Sequence, residues 1–273
     1  SYKQKRERIK HIMEETINSV EIDVKNLFTK WLENENDFEV TNKIKYELKG
    51  KTLPKELNEL IDYVPARTVW AIGGDGWAYD IGYGGLDHVL HSNENIKVLV
   101  LDTEVYSNTG GQASKSTKLG AVAEFANFGK KTAKKDLFKI ASCIPNCYVA
   151  SISLGSNMMQ AIKAFNEAEA HNGPAIIIAY SPCIEHGIKT GMSLSCEEQK
   201  LAVECGYTIL MRHDGETHID SKEPNFDKYE TFLDNEVRFN ALKIKDKDLA
   251  SKVLEEQKEN AIKRYKYYKK ISE

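Results

Sequence analysis

The run Thr68-Val69-Trp70-Ala71-Ile72-Gly73-Gly74-Asp75-Gly76-Trp77 decides the fold, because an apolar, β-branched stretch stops abruptly in three glycines around one carboxylate. One strand–helix unit later it is answered by a second buried-looking strand at 96–101. That strand runs into the polar loop Asp102-Thr103-Glu104-Val105-Tyr106-Ser107-Asn108-Thr109-Gly110-Gly111. In a parallel sheet both strands end on one edge, where open α/β folds place their ligands. A glycine backbone lets an anion come close, and an Asp there can hold a divalent metal that bridges phosphates. The two loops together read as a metal–diphosphate site.

Outward from this pair, continuous apolar strands alternate with helical spans. Strands are expected at 68–73, 96–101, 147–154, 175–180 and 207–212, and helices near 79–91, 119–129, 134–142, 157–171 and 195–205. The fold class is therefore α/β, a parallel sheet covered by helices on both faces. Asn157, with Gln160 three residues on, suits a helix start, and Ser195 with Glu198 repeats the pattern. Gly173-Pro174 punctuates a helix-to-strand turn.

Residues 1–64 are a different kind of sequence. Ile9, Ile12, Met13, Ile17 and Val20 recur at helical spacing, Leu27, Trp31 and Leu32 mark a second helix, and Ile44 and Leu48 a third. They read as a helical arm packed on the α/β core of residues 65–213. A DNA-binding helical module is the competing reading, and the acidic stretch 33–39 argues against it. Residues 214–273 read as a polar surface extension followed by a helix over 246–268, Lys-rich at its end to suit the helix dipole.

The bulk properties exclude several classes. The chain has 273 residues, 41% hydrophobic and 29% charged, enough for a full-sized core. A net charge of -3 gives no electrostatic reason to expect nucleic acid or an anionic membrane. No apolar run is long enough to span a bilayer. The charged start Ser1-Tyr2-Lys3-Gln4 suggests a processed chain or a cut from something longer. Five cysteines, at 143, 147, 183, 196 and 205, form no small-scaffold pattern and fit reducing, cytoplasmic conditions.

Asp75 is the leading candidate for chemistry; the alternative is an Asp that only accepts backbone N–H bonds in a tight turn. The stretch is not a dinucleotide fingerprint, since the glycine spacing fails after Gly76. Nor is Gly111-Gln112-Ala113-Ser114-Lys115-Ser116 a triphosphate loop, for it lacks the glycine before the lysine. Cys143 and Cys147 lack the second pair of a metal clip. Cys183 alone reads as a buried thiol, and Cys196 and Cys205 as helix packing. Of the histidines, none has metal-ligand spacing, and His186 alone is worth watching. Lys130, Lys131, Lys134 and Lys135 read as a solvated helix junction.

Three blocks in order carry a resemblance: Gly73-Gly74-Asp75-Gly76-Trp77-Ala78-Tyr79-Asp80-Ile81-Gly82, then 101–112, then Tyr180-Ser181-Pro182-Cys183-Ile184-Glu185-His186-Gly187. Together they resemble the C-terminal, thiamine diphosphate-binding domain of the pyruvate:ferredoxin (flavodoxin) oxidoreductases, over about 65–213. The resemblance implies that Gly74, Asp75, Gly76 and Trp77 bind the cofactor. It implies that Asp75, the Thr103 hydroxyl and the Val105 carbonyl ligate Mg²⁺, and that Asn108 lies beside the thiazolium and the bound oxoacid. It makes Cys183 the fourth ligand of a [4Fe–4S] cluster, and it makes Glu104 structural, not the glutamate that activates the aminopyrimidine. It implies further parts elsewhere: a pyrimidine-binding domain, three more cluster ligands, coenzyme A, ferredoxin or flavodoxin, and a homodimeric parent. The isolated chain is accordingly expected to be inactive. Another thiamine-dependent 2-oxoacid oxidoreductase, or a non-catalytic assembly domain that kept the fold, remain the alternatives.

Overall fold

The computed structural model describes residues 1–273, which fall into two compact units, 1–68 and 69–273. The first unit is four helices: α1 (Tyr2–Thr16), α2 (Ile22–Glu33), α3 (Phe38–Leu48) and α4 (Lys55–Glu59). Its core is the apolar side of each, with Ile9, Met13, Phe28, Trp31, Ile44 and Leu48 buried together. Trp31 Nε1 donates to the Val64 carbonyl at 2.8 Å, so the one polar atom of that buried indole is satisfied.

The second unit is built on a six-stranded sheet of order β1-β2-β4-β3-β5-β6. The strands are β1 (Val69–Gly74), β2 (Ile96–Asp102), β3 (Tyr148–Ile152), β4 (Ala175–Tyr180), β5 (Met211–His213) and β6 (Thr217–Ile219). The first four are parallel; β5 and β6 add an antiparallel edge. Helices α5 (Tyr83–His91), α6 (Leu137–Ala141), α7 (Met158–Ala170) and α8 (Ser195–Glu204) follow, then α9 (Tyr229–Asp234), α10 (Val237–Lys245) and α11 (Lys247–Ser272).

The strand sequences dictate this burial. In β4, Ile176 and Ile177 point to opposite faces and both are fully buried, each contributing about 1.5–3 kcal/mol. On one face Ala161, Ala164 and Ala168 of α7 let the helix approach Tyr148 and Ile177 closely; on the other lie Val98, Val149 and Ile178. Lys97, inside β2, is fully buried and its ammonium is capped by the carbonyls of His171 (2.6 Å) and Gly173 (2.8 Å). Asn157 caps α7 by accepting from the Gln160 amide at 3.0 Å.

Four expectations are corrected. No helix forms over 119–129: Gly120 and Gly129 both lie at φ +75° and pack against each other, and Phe125 at φ +64° adds a third left-handed turn. The strand expected at 207–212 begins only at Met211 and runs antiparallel to β3, and the Gly215 turn continues it as a hairpin with β6. Ser195 is already inside α8 and caps nothing with its side chain. The stretch between 213 and the expected C-terminal helix, which is present as α11, is no mere surface extension: Tyr229, Phe232, Leu233 and Phe239 are buried around Tyr207.

Candidate active site at the carboxyl edge of the sheet

Strand register places the ends of β1, β2 and β4 side by side, with Gly74 opposite Leu101 and Asp102 opposite Tyr180. At the end of β1, Asp75 turns inward and is 1% exposed. Nothing lies within 4 Å of where a Cβ on Gly74 would stand, so the edge is open there, whereas a Cβ on Gly76 would run into the Tyr106 ring. The Trp77 indole lies back against Gly73 and Gly82, which explains why both are glycine.

From β2 the loop returns oxygen atoms to Asp75. Thr103 Oγ1 lies 2.9 Å from Asp75 Oδ1, 3.1 Å from the Val105 carbonyl and 3.2 Å from Ser107 Oγ. Octahedral Mg²⁺ with bonds of 2.0–2.1 Å separates neighbouring ligand atoms by about 2.9 Å. The Thr103 hydroxyl is therefore spaced from the Asp75 carboxylate and from the Val105 carbonyl as adjacent ligands of such an ion are. No group of three His, Cys, Asp or Glu side chains could hold a metal. A hard cation here would draw its remaining ligands from phosphate and water.

The electrostatics agree. Burial, and then the neighbouring Asp102 charge, push the Asp75 carboxyl up to about 6, against donation from Ser114 and Thr103. A divalent cation would reverse that balance. Glu104 is different: burial opposes its charge, but Lys134 and Arg238 outweigh burial and hold its carboxyl far below the usual range. Lys134 bridges Glu104 at 2.9 Å and also pairs with Asp102, while Arg238 meets Glu104 at 2.9 Å. Glu104 is thus committed to a buried ion network.

Residues 57–179 match the family described as thiamine pyrophosphate enzyme, C-terminal TPP binding domain. The chain is 47% identical over 230 residues, 82% of its length, to a pyruvate:ferredoxin oxidoreductase of Moorella thermoacetica. It is 44% identical over 241 residues, 85% of its length, to a pyruvate-flavodoxin oxidoreductase of Klebsiella pneumoniae. It is 39% identical over 99% of its length to a mitochondrial pyruvate dehydrogenase [NADP(+)] of Euglena gracilis. The chain belongs with the thiamine diphosphate-binding segments of the pyruvate:ferredoxin and pyruvate-flavodoxin oxidoreductases. It spans 20% of the length of the first two relatives and 16% of the third. Among solved structures, a 2-oxoglutarate:ferredoxin oxidoreductase from Magnetococcus marinus aligns over 44% of this chain and 41% of its own, at 24% identity and a TM-score of 0.41.

Within this thiamine diphosphate-binding domain, the structure brings Asp75, Thr103 and Val105 together and leaves Asn108 exposed on the turn that Tyr106 and Gln112 close. Cys183 sits just past β4 and is half-exposed, not buried; none of the five cysteines forms a disulfide, and Cys196, read as helix packing, is exposed. Cys147 and Cys205 are buried, and burial pushes their thiols up to about 12. The lysine-rich stretch is solvated only in part: Lys131 is exposed, but its neighbours are engaged. Lys130 donates to the Ser114 and Thr117 carbonyls at 2.7 and 2.8 Å, and Lys134 lies beneath the site in the network above.

Sequence reasoning missed two supporting residues, Ser107 and Ser114, and singled out a third, His186, without giving it a role. Ser107 joins the oxygen cluster. Ser114 donates to Asp75 Oδ2 at 2.5 Å, and buried His186 holds the Thr103 carbonyl at 2.7 Å. Ser114 carries no signal in the sequence, where its loop shows only a failed triphosphate pattern. His186 was visible only as a neighbour of Cys183.

Proposed function

We propose that this domain holds the diphosphate and metal end of thiamine diphosphate in an oxidoreductase that splits pyruvate. In the whole enzyme, pyruvate and coenzyme A yield acetyl-CoA and CO₂, and two electrons pass to ferredoxin or flavodoxin. The observation that carries this reading is the convergence of Asp75 Oδ1, Thr103 Oγ1 and the Val105 carbonyl at the open end of β1. Thiamine diphosphate, when bound, supplies the thiazolium that accepts the electrons left by decarboxylation.

The chain's own residues do the positioning. Asp75, Thr103 and Val105 would hold Mg²⁺, and the open backbone at Gly74, at the head of the Gly74 to Trp77 segment, would let the diphosphate lie against the sheet edge. Asn108, on the exposed turn, would hold the oxoacid carboxylate through its amide. Cys183 would be the single ligand this chain gives a [4Fe–4S] cluster; it is half-exposed just past the end of β4 and engaged with no other cysteine. The pyrimidine-binding domain, the other cluster ligands and a second subunit belong to the same reading, as does a cytoplasmic location. No helix is long and apolar enough to cross a membrane.

Calorimetric titration of thiamine diphosphate with Mg²⁺ into the full-length protein tests this. Asp75→Ala is expected to abolish binding, and Thr103→Ala to weaken it less, since water replaces a neutral hydroxyl more cheaply than a carboxylate. Unchanged affinity in both would refute the site.

A further inference from the structure

Thr103 and Val105 flank Glu104, whose φ of +59° places a non-glycine residue in the left-handed region. That turn is what brings the Thr103 hydroxyl and the Val105 carbonyl to within 3.1 Å of each other. Something must hold it, because a left-handed glutamate relaxes unless its surroundings over-determine it. Two anchors do so. The Glu104 carboxylate is fixed by Lys134, Arg238 and Tyr207. The carbonyl of the preceding residue, Thr103, accepts from His186 Nε2 at 2.7 Å. A ring nitrogen that faces a carbonyl must carry the hydrogen, which assigns the proton to Nε2.

The two anchors are joined behind the site. Arg238, which reaches Glu104 at 2.9 Å, also bonds Glu236 at 2.7 Å, and Glu236 lies 3.5 Å from His186 Nδ1. His186 and Glu236 are fully buried, with Glu104 and Arg238 1% and 3% exposed. The backbone closes the ring. Val237 N donates to the Gly187 carbonyl at 2.9 Å, and Lys189 N to the Asn235 carbonyl at 2.8 Å. His186 N in turn donates to the Cys183 carbonyl at 3.0 Å.

We infer that His186 is a positioning residue for the metal site. Seated by its own amide bond to the Cys183 carbonyl and stacked on the Tyr180 ring, it fixes the Thr103–Glu104 peptide so that Thr103 and Val105 present their oxygens together, and it ties that segment to the loop that carries Cys183. It touches neither cofactor nor substrate. The inference rests on the reading that Asp75, Thr103 and Val105 ligate Mg²⁺. Groups that orient metal ligands typically matter by 10–100-fold in metal affinity.

The test is a Mg²⁺ titration of thiamine diphosphate binding to the full-length protein, read by circular dichroism, with melting temperatures taken without metal. His186→Ala is expected to raise the Mg²⁺ concentration for half-saturation about tenfold or more. His186→Gln carries its amide nitrogen where Nε2 stood and should restore binding to near wild type. His186→Asn carries its nitrogen at the Nδ1 position and should behave like His186→Ala. A role in packing alone predicts that Gln and Asn are equally tolerated or equally impaired, and either result would overturn the inference. Should His186→Ala fail to fold, the Gln–Asn comparison still decides. Asp75→Ala, run in parallel, separates the two ideas: if it leaves the Mg²⁺ requirement unchanged, the metal site itself is wrong. If it abolishes binding while all His186 variants match wild type, only the positioning role falls.

Discussion

Ser114 Oγ donates to Asp75 Oδ2 at 2.5 Å, while Asp75 Oδ1 faces Thr103 Oγ1 at 2.9 Å. The carboxylate is therefore divided: one oxygen belongs to the protein, and the other is left at the open edge. Ser114 is itself fixed, its hydroxyl accepting from the Ser116 amide at 3.0 Å. Ser114→Ala should free Asp75 to rotate and lower Mg²⁺ affinity by about tenfold, the lower end for groups that orient a ligand. Calorimetry in the presence of thiamine diphosphate checks this, and wild-type affinity in the variant would show that Ser114 is incidental.

Asp75 also sets a stability cost that the metal should remove. Its carboxyl is raised from 3.8 to about 6, so between these values the folded state binds the proton more tightly than the unfolded chain. Stability from this residue falls as pH rises through that window and stays low above it. The penalty at pH 8 is about 2–3 kcal/mol without a cation. Asp75→Asn should therefore melt higher than wild type at pH 8 in metal-free buffer, by a margin that shrinks as pH falls through 6. With Mg²⁺ and thiamine diphosphate added, the order should reverse. An Asn variant that melts lower in metal-free buffer would contradict this.

The parts of the molecule that were legible in the sequence follow one rule: a local pattern sufficed to specify them. The β4 run Ala175–Tyr180 is apolar throughout, and a strand buried on both faces needs nothing else. Asp75 and Thr103 were legible because each follows a strand end, and strand ends in a parallel sheet share an edge. What stayed hidden depends on partners distant in the chain. Lys97 looks like a surface lysine until the 171–173 turn arrives to cap it. The run 119–129 has the apolar content of a helix but not the backbone, because Gly120 makes room for Val253 of α11. Arg238 and Glu236 sat in a stretch read as peripheral, yet Arg238 pairs with both Glu236 and Glu104 behind the Thr103–Val105 loop, and no periodicity announces a buried ion pair.

The same hidden stretch yields a pH-dependent limb of stability. Glu198 on α8 is 2% exposed and bonded by Asn235. Burial, helped by the Glu236 charge, pushes its carboxyl from 4.5 up to about 7 against that bond. An acid with a raised folded pKa contributes stability that is lost as pH rises, here between about 4.5 and 7. Glu198→Gln can keep its carbonyl on Asn235 without the charge. It should be more stable than wild type at pH 8 by about 1–3 kcal/mol and nearly equal to it at pH 5. Urea unfolding at the two pH values measures the difference, and parallel pH slopes would rule the assignment out.

Cys183 separates a redox role from an ordinary thiol. It begins the Ile184–His186 turn, is half-exposed and forms no disulfide. The sheet does not depend on it, since the strand it follows is held by Asp102, Ile176 and their neighbours. Replacing it with Ala should cost little stability, unlike a buried core residue. In the full-length enzyme, Cys183→Ala should instead lose or destabilise one [4Fe–4S] cluster while Mg²⁺-dependent thiamine diphosphate binding persists, because Asp75, Thr103 and Val105 remain in place. Iron counting and electron paramagnetic resonance on the variant read the first effect, and calorimetry the second. Full iron content with an unchanged spectrum would make Cys183 a plain thiol. Loss of cofactor binding along with the cluster would mean that the Cys183 loop acts on the metal site through His186, which donates to the Cys183 carbonyl at one end and to the Thr103 carbonyl at the other.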